Sequence, residues 1–244
     1  MREQGIASAR DEFGGEGQDC LGHQFFGLLL KIIKWPLAIG TAACLPAIAI
    51  EWWGSLSATL AVAERLPYFF LGLVSYGGLW WALLRKTSLT WLSTLEHEFT
   101  HCLFAWATGN RVTGFKATLQ SGGHMTYRGT QNWLIAVAPY CFPTVTIGLL
   151  AGLYLGDLAL RGWMLAALGA SISYHLTSTW TDIHPGQTDF HDAGLVFCLL
   201  FLPGANLFLY AIVLNLVATG QPTILDSLRH ILGSDWTLLH WAMR

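Results

Sequence analysis

The chain has 244 residues, of which 53% are hydrophobic and only 11% charged, with a formal net charge of −2. A soluble domain carries about 25% charged residues, so this composition excludes a water-soluble globule, and the near-neutral charge offers no footing for nucleic acid. The five cysteines (Cys20, Cys44, Cys102, Cys141 and Cys198) are odd in number, lie mostly in apolar blocks and form no CxxC, which argues against a disulfide framework or a metal knuckle.

Residues 1–23 are polar and mixed in charge, without the basic start and early apolar core of a cleaved signal peptide. They read as a flexible cytoplasmic lead-in. A membrane-spanning helix needs roughly 20 apolar residues, and six blocks come close: Phe25–Ile50, Pro67–Leu84, Leu89–Thr108, Trp133–Leu155, Trp163–Trp180 and Ala193–Ala218. Lys31 and Lys34 can snorkel from the first. Between the third and fourth, Val112–Leu119 alternates in part, Gly122-Gly123 interrupts it, and His124–Tyr127 follows. Two short strands about a glycine turn are the simplest reading. After the sixth block the tail alternates apolar and polar residues, as a helix lying on a membrane surface would. The expected fold class is thus an all-α membrane protein of about six transmembrane helices with a short β-hairpin. It divides into a lead-in (1–23), a membrane core (24–218) and an amphipathic tail (219–244).

The third block contains His97-Glu98-Phe99-Thr100-His101. On a helix, residues four apart share a face, so His97 and His101 can bind one zinc ion, with Glu98 beside them to take a proton from water. Context strengthens this. Glu96, His97, Glu98 and His101 fall within six residues of an apolar segment, where each Asp, Lys or Arg costs about 2.5–3.5 kcal/mol on insertion scales. Packing alone does not account for such a cluster.

A catalytic zinc site needs a third protein ligand. The metzincin extension fails, because Phe104 and Ala107 stand where Gly and His are required, and no Glu follows Glu98 to complete a thermolysin-like set. Asp or His remains. The link between the fifth and sixth blocks, Thr181–Gly194, concentrates Asp182, His184, Asp189, His191 and Asp192. By parity it opens on the same side as the end of the motif helix, and Pro185-Gly186 suits an irregular path. Asp189 is the first choice, at the start of the sixth block where the helix dipole favours a carboxylate. Asp192, one turn on, is the second, and either acid could instead cap the helix.

HEFTH in an apolar helix, a Gly-Gly strand segment and a late Asp near a Gly together resemble the site-2 protease family of intramembrane zinc proteases, and more narrowly its compact bacterial M50-type members. The resemblance runs over roughly 91–201. It implies that His97, His101 and a late Asp bind Zn2+, that Glu98 is the general base, and that the reaction is peptide-bond hydrolysis in or near transmembrane segments of membrane protein substrates. The family's Leu-Asp-Gly signature is absent: Thr188-Asp189-Phe190 and His191-Asp192-Ala193-Gly194 stand in its place.

Six spans would leave nine Lys and Arg (2, 10, 31, 34, 85, 86, 161, 229 and 244) on one side and four (65, 111, 116 and 128) on the other. The positive-inside rule then places both termini in the cytoplasm of a multi-pass cell-membrane protein whose partners are the bilayer and a membrane protein or peptide substrate. His124 could hold substrate or stabilise an oxyanion, or be a hydrated loop residue. His175 reads as a hydrogen-bonded core residue, and Pro139 and Pro143 as a kink making room beside the zinc. Two rival functions have sequence features to answer for. A di-iron oxygenase would need further histidine boxes, which the nine histidines do not form. A non-catalytic metal or client binder would have no need of Glu98.

Overall fold

The computed structural model describes residues 20–86, 91–118, 122–155, 158–184, 186–221 and 224–242. The lead-in up to residue 19, Leu119 of the first expected strand, the start of the third block and Pro185 lie outside the described residues. Ten α-helices and one hairpin are present among those described: α1 (Cys20–Ala43), α2 (Leu45–Ala61), α3 (Pro67–Ala82), α4 (Trp91–Ala107), β1 (Arg111–Ala117), β2 (Gly123–Arg128), α5 (Trp133–Val137), α6 (Thr144–Leu155), α7 (Arg161–Asp182), α8 (Thr188–Ala193), α9 (Leu195–Thr219) and α10 (Ile224–Ala242).

The expected count of six spans needs correction. Among the described residues, two helices are long and apolar enough to cross a membrane, Phe26–Ala43 within α1 and Leu195–Thr219; the bent pair Trp133–Tyr140 and Thr144–Leu153 makes a third if taken as one span. Helices α2, α3 and α4 have 17, 16 and 17 residues, or about 24–26 Å at 1.5 Å per residue, short of a roughly 30 Å hydrocarbon core. The first expected block divides because Pro46 has no N–H to continue the ladder and instead sits in the first turn of α2. The sixth block also divides. Gly194, at φ 86°, ends the six-residue α8 before α9 begins, a conformation that a residue with a Cβ adopts at a cost.

Apolar side chains nevertheless cover the outside. Leu71, Val74 and Trp81 of α3, Trp163 and Trp180 of α7, and Val196 and Leu199 of α9 are all exposed. An aqueous surface rarely carries apolar area on this scale, and the spanning helices and this surface together describe a membrane protein.

The chain forms two compact units. One comprises the chain up to Lys34 with Tyr68–Leu195. In it α3 and α7 meet backbone to backbone: a Cβ on Gly72 would collide with the Ala166 carbonyl, and one on Gly169 with the Phe69 carbonyl. Small residues at such crossings are how membrane helices approach closely. Gly169→Ala should therefore cost about 3 kcal/mol or more, the upper end for overpacking, read as a lowered melting temperature in detergent. A variant melting like the wild type would show that the crossing is not tight.

The hairpin in this unit pairs Val112 with Tyr127 and Phe115 with Met125, with an irregularity between Val112 and Gly114. Met125 and Tyr127 point inward onto Cys102 and Ala105 of α4 and Ile135 of α5. Burial, with the charge of Asp192, pushes the Tyr127 hydroxyl up to about 12, so it packs as a neutral group. Asn132 caps α5 by accepting from the Ile135 N–H at 3.1 Å, and Trp133 Nε1 donates to the Leu30 carbonyl of α1 at 2.7 Å.

The other unit comprises 35–67 and 196–244. Its polar centre is Glu51 of α2, whose Oε1 accepts from Ser227 of α10 at 2.8 Å and from Asn215 of α9 at 3.5 Å, while Oε2 lies 3.4 Å from His230 Nδ1. Ile231 of α10 packs with Ala47 and Ile48, while Leu225 and Leu232 remain exposed.

Candidate metal centre

Helix α4 presents two faces. Trp91, Leu92, Phe99 and Trp106 are exposed, whereas Glu98, Thr100, His101 and Cys102 are buried. Glu96 turns aside from the motif: its Oε1 accepts from the Val145 N–H at 3.0 Å, so the carboxylate caps α6 where the helix dipole favours negative charge. One of the four ionisable groups in this stretch is therefore structural.

Two of the other three, His97 and His101, face a common point with Asp189 of α8. His97 Nε2 lies 3.3 Å, and His101 Nε2 3.5 Å, from Asp189 Oδ2. One donor atom from each of these residues lies within 4.8 Å of the others. Asp189 arrives from the first turn of α8 and is only 4% exposed. Helix α8 thus turns Asp189, and not Asp192, toward the histidines; Asp192 is exposed.

The chemistry of the donors fits a metal cation. His101 Nδ1 lies 2.8 Å from the Ile135 carbonyl oxygen. A carbonyl only accepts, so Nδ1 carries a proton, and Nε2 is the ring atom turned toward a carboxylate oxygen. A ring nitrogen and a carboxylate oxygen 3.5 Å apart in a buried site suit a cation shared between them. Ligand bonds of about 2.0–2.1 Å at a tetrahedral centre would set donors about 3.3–3.4 Å apart, close to the two separations seen here. Glu98 adds a second sign: its Oε2 is buried and has no hydrogen-bond partner among the described residues.

A family model described as Peptidase M50B-like matches residues 42–181, more than half of the chain. The chain belongs to the Peptidase M50B-like family. The match includes His97, Glu98 and His101 and ends before Asp189. No curated protein and no solved structure matches the chain.

Around the three donors this M50B-like chain places Tyr140, which the sequence does not single out, and Asp182, one of the acids of the Thr181–Gly194 cluster. Tyr140 donates its hydroxyl to Asp189 Oδ2 at 2.9 Å. Asp182, the last residue of α7, sets Oδ2 3.8 Å from His97 Nδ1. No pattern announces Tyr140, which stands in the apolar run Ala138-Pro139-Tyr140. The expected kink is present: the two halves of the fourth block meet at 73°, and a 3₁₀ turn over Ala138–Tyr140 fills the corner.

The remaining histidines divide. His124 of β2 is half-buried, pairs across the hairpin with Lys116, and interacts electrostatically with Glu98. His175 is buried and hydrogen-bonded to the Pro139 backbone, a core residue in the M50B-like fold. His184 is exposed and accepts from the Gly186 N–H at 3.2 Å, and His191 is exposed. The hairpin also confines Glu98, since a Cβ on Gly123 would lie 2.6 Å from Glu98 Cγ and 2.8 Å from the Lys116 carbonyl. Gly123→Ala should therefore displace Glu98 or the hairpin. With Glu98 as the general base that the motif implies, peptide hydrolysis should fall at least tenfold, about 1.4 kcal/mol in barrier, with metal content unchanged. Full activity would mean that the hairpin does not position Glu98.

Proposed function

We propose that this peptidase-family chain is a zinc-dependent intramembrane endopeptidase cleaving peptide bonds in or near transmembrane segments of membrane proteins, with His97, His101 and Asp189 holding the metal and Glu98 as general base. The observation that carries this reading is the approach of His97 Nε2 and His101 Nε2 to one buried oxygen, Asp189 Oδ2, with the unpartnered Glu98 Oε2 on the same helix as the histidines. Zinc bound there would supply a Lewis acid for the scissile carbonyl and make water a nucleophile near neutral pH.

Glu98 then does the proton work. Its free Oε2 accepts a proton from water as the oxygen attacks the carbonyl carbon, and gives it to the amide nitrogen as the C–N bond breaks. Water and one peptide bond are consumed, and a carboxylate and an amine are released. The Ile135 carbonyl holds the His101 ring in one tautomer, and Asp182 faces Nδ1 of His97; partners of this kind orient metal-binding histidines.

The bilayer setting rests on the spanning helices and on the apolar outer face of α4. A substrate helix must unwind locally, because its carbonyls are already hydrogen-bonded, and a free edge of the hairpin can pair with the extended segment. The charge asymmetry of nine against four Lys and Arg favours cytoplasmic termini in a multi-pass arrangement.

The test is co-reconstitution of the full chain in liposomes with a panel of single-span reporter proteins, with and without 1,10-phenanthroline. Chelator-sensitive cleavage within or beside the reporter's span is expected. A folded, zinc-loaded protein that cuts no reporter would favour a client-binding role.

A further inference from the structure

We propose that Tyr140 is the positioning residue of the metal centre, its hydroxyl holding Asp189 Oδ2 where both histidine Nε2 atoms can share a cation with it. The inference rests on the metallopeptidase reading above and adds a residue outside its motif.

The argument begins with the weakness of α8. It has six residues, and Gln187 at its N-cap makes no side-chain capping bond. Helices shorter than about 12–15 residues are marginal by themselves, so Asp189 is held by what packs on it. Tyr140 supplies two such ties. Its hydroxyl donates to Asp189 Oδ2 at 2.9 Å, and its ring lies 4.5 Å from that of Phe190, the next residue of α8.

The bond reaches the same oxygen that both histidines face. It therefore sets the rotation of the carboxylate about its Cβ–Cγ bond and leaves the remaining lone pair of Oδ2 for a cation. The ring also meets that of His97 edge-on at 5.2 Å, so one side chain braces two of the three donors.

The break in the fourth block makes this reach possible. Tyr140 ends the 3₁₀ turn at the 73° corner between α5 and α6, and it is 1% exposed. A buried tyrosine hydroxyl requires a partner, and here the partner is the candidate ligand. A straight helix through this block would place residue 140 in a regular turn. The corner, rather than the proline alone, delivers the hydroxyl.

The test is zinc affinity of the full chain in detergent, by competition with a chelator of known strength, for wild type, Tyr140→Phe and Tyr174→Phe. Tyr140→Phe keeps the ring and loses only the hydroxyl. Tyr174→Phe removes another buried hydroxyl, one that faces Glu96 rather than the donor cluster. The visible spectrum of each protein loaded with Co2+ reports ligand geometry independently of activity. Tyr140→Phe is expected to bind zinc 10–100-fold more weakly, the range for losing an outer partner of a ligand, with an altered cobalt spectrum, while Tyr174→Phe matches wild type. Unchanged affinity and spectrum in Tyr140→Phe, or equal weakening in Tyr174→Phe, would overturn the positioning role and leave the metal centre standing. Wild type that takes up no zinc would overturn the metal centre itself, and this inference with it.

Discussion

Glu98→Gln is expected to keep its zinc and lose about 10²–10⁴-fold in peptide hydrolysis, the usual contribution of a positioned general base. The amide matches the carboxylate in shape, so the tight approach of Gly123 to Cγ is undisturbed and the fold has no reason to change. What changes is the ability to accept a proton. In the native chain the buried Oε2 has no hydrogen-bond partner among the described residues, and an uncompensated buried carboxylate oxygen is costly. Such a group persists where catalysis uses it. Reporter cleavage at saturating substrate, measured beside metal content, checks this. Undiminished turnover in a zinc-loaded Glu98→Gln protein would remove Glu98 from the reaction.

The second large effect separates two acids three residues apart. Asp189→Ala should lose zinc and activity together. Its Oδ2 is the atom that His97 and His101 both face, and removing a ligand should exceed the 10–100-fold cost of losing an outer partner. Asp192→Ala should stay within about twofold of wild type in both readouts, as substitutions on an exposed face usually do. Asp192 is exposed on α8, and its carboxyl is raised by partial burial and then by the charge of Asp189, which leaves it a bystander. The reverse outcome, zinc lost only in Asp192→Ala, would mean that α8 rotates when the metal binds.

The geometry could be read from the sequence where it is local. An i, i+4 pair of histidines on a helix lands on one face whatever the surroundings, and α4 carries His97 and His101 together. The hairpin was legible for the same reason, since Gly122 takes φ 74° between two short strands. Choosing between Asp189 and Asp192 was not a local question. Both sit on α8, both suit a helix N-terminus, and only the packing of that helix turns one inward. Tyr140 was hidden more deeply. It stands in an apolar block as any core tyrosine would, and its reach depends on a corner whose angle no sequence period reveals. Six separate spans are not evident among the described residues, because an apolar block does not fix helix length, and α7, 22 residues long, is not apolar enough over its length. Pro46 and the 73° corner divide two blocks, Gly194 separates α8 from α9, and α3 and α4 are too short. Glu96 shows the opposite error, a charged residue beside the motif that serves to cap α6.

The most direct test of the central claim is zinc per chain, measured by elemental analysis of detergent-purified wild type, His97→Ala, Asp189→Ala and Asp192→Ala. About one zinc in wild type and in Asp192→Ala, lost in His97→Ala and Asp189→Ala, is the predicted result, because one set of three such donors is present among the described residues. A well-folded wild type without zinc, or a zinc content indifferent to His97, would contradict the metallopeptidase account.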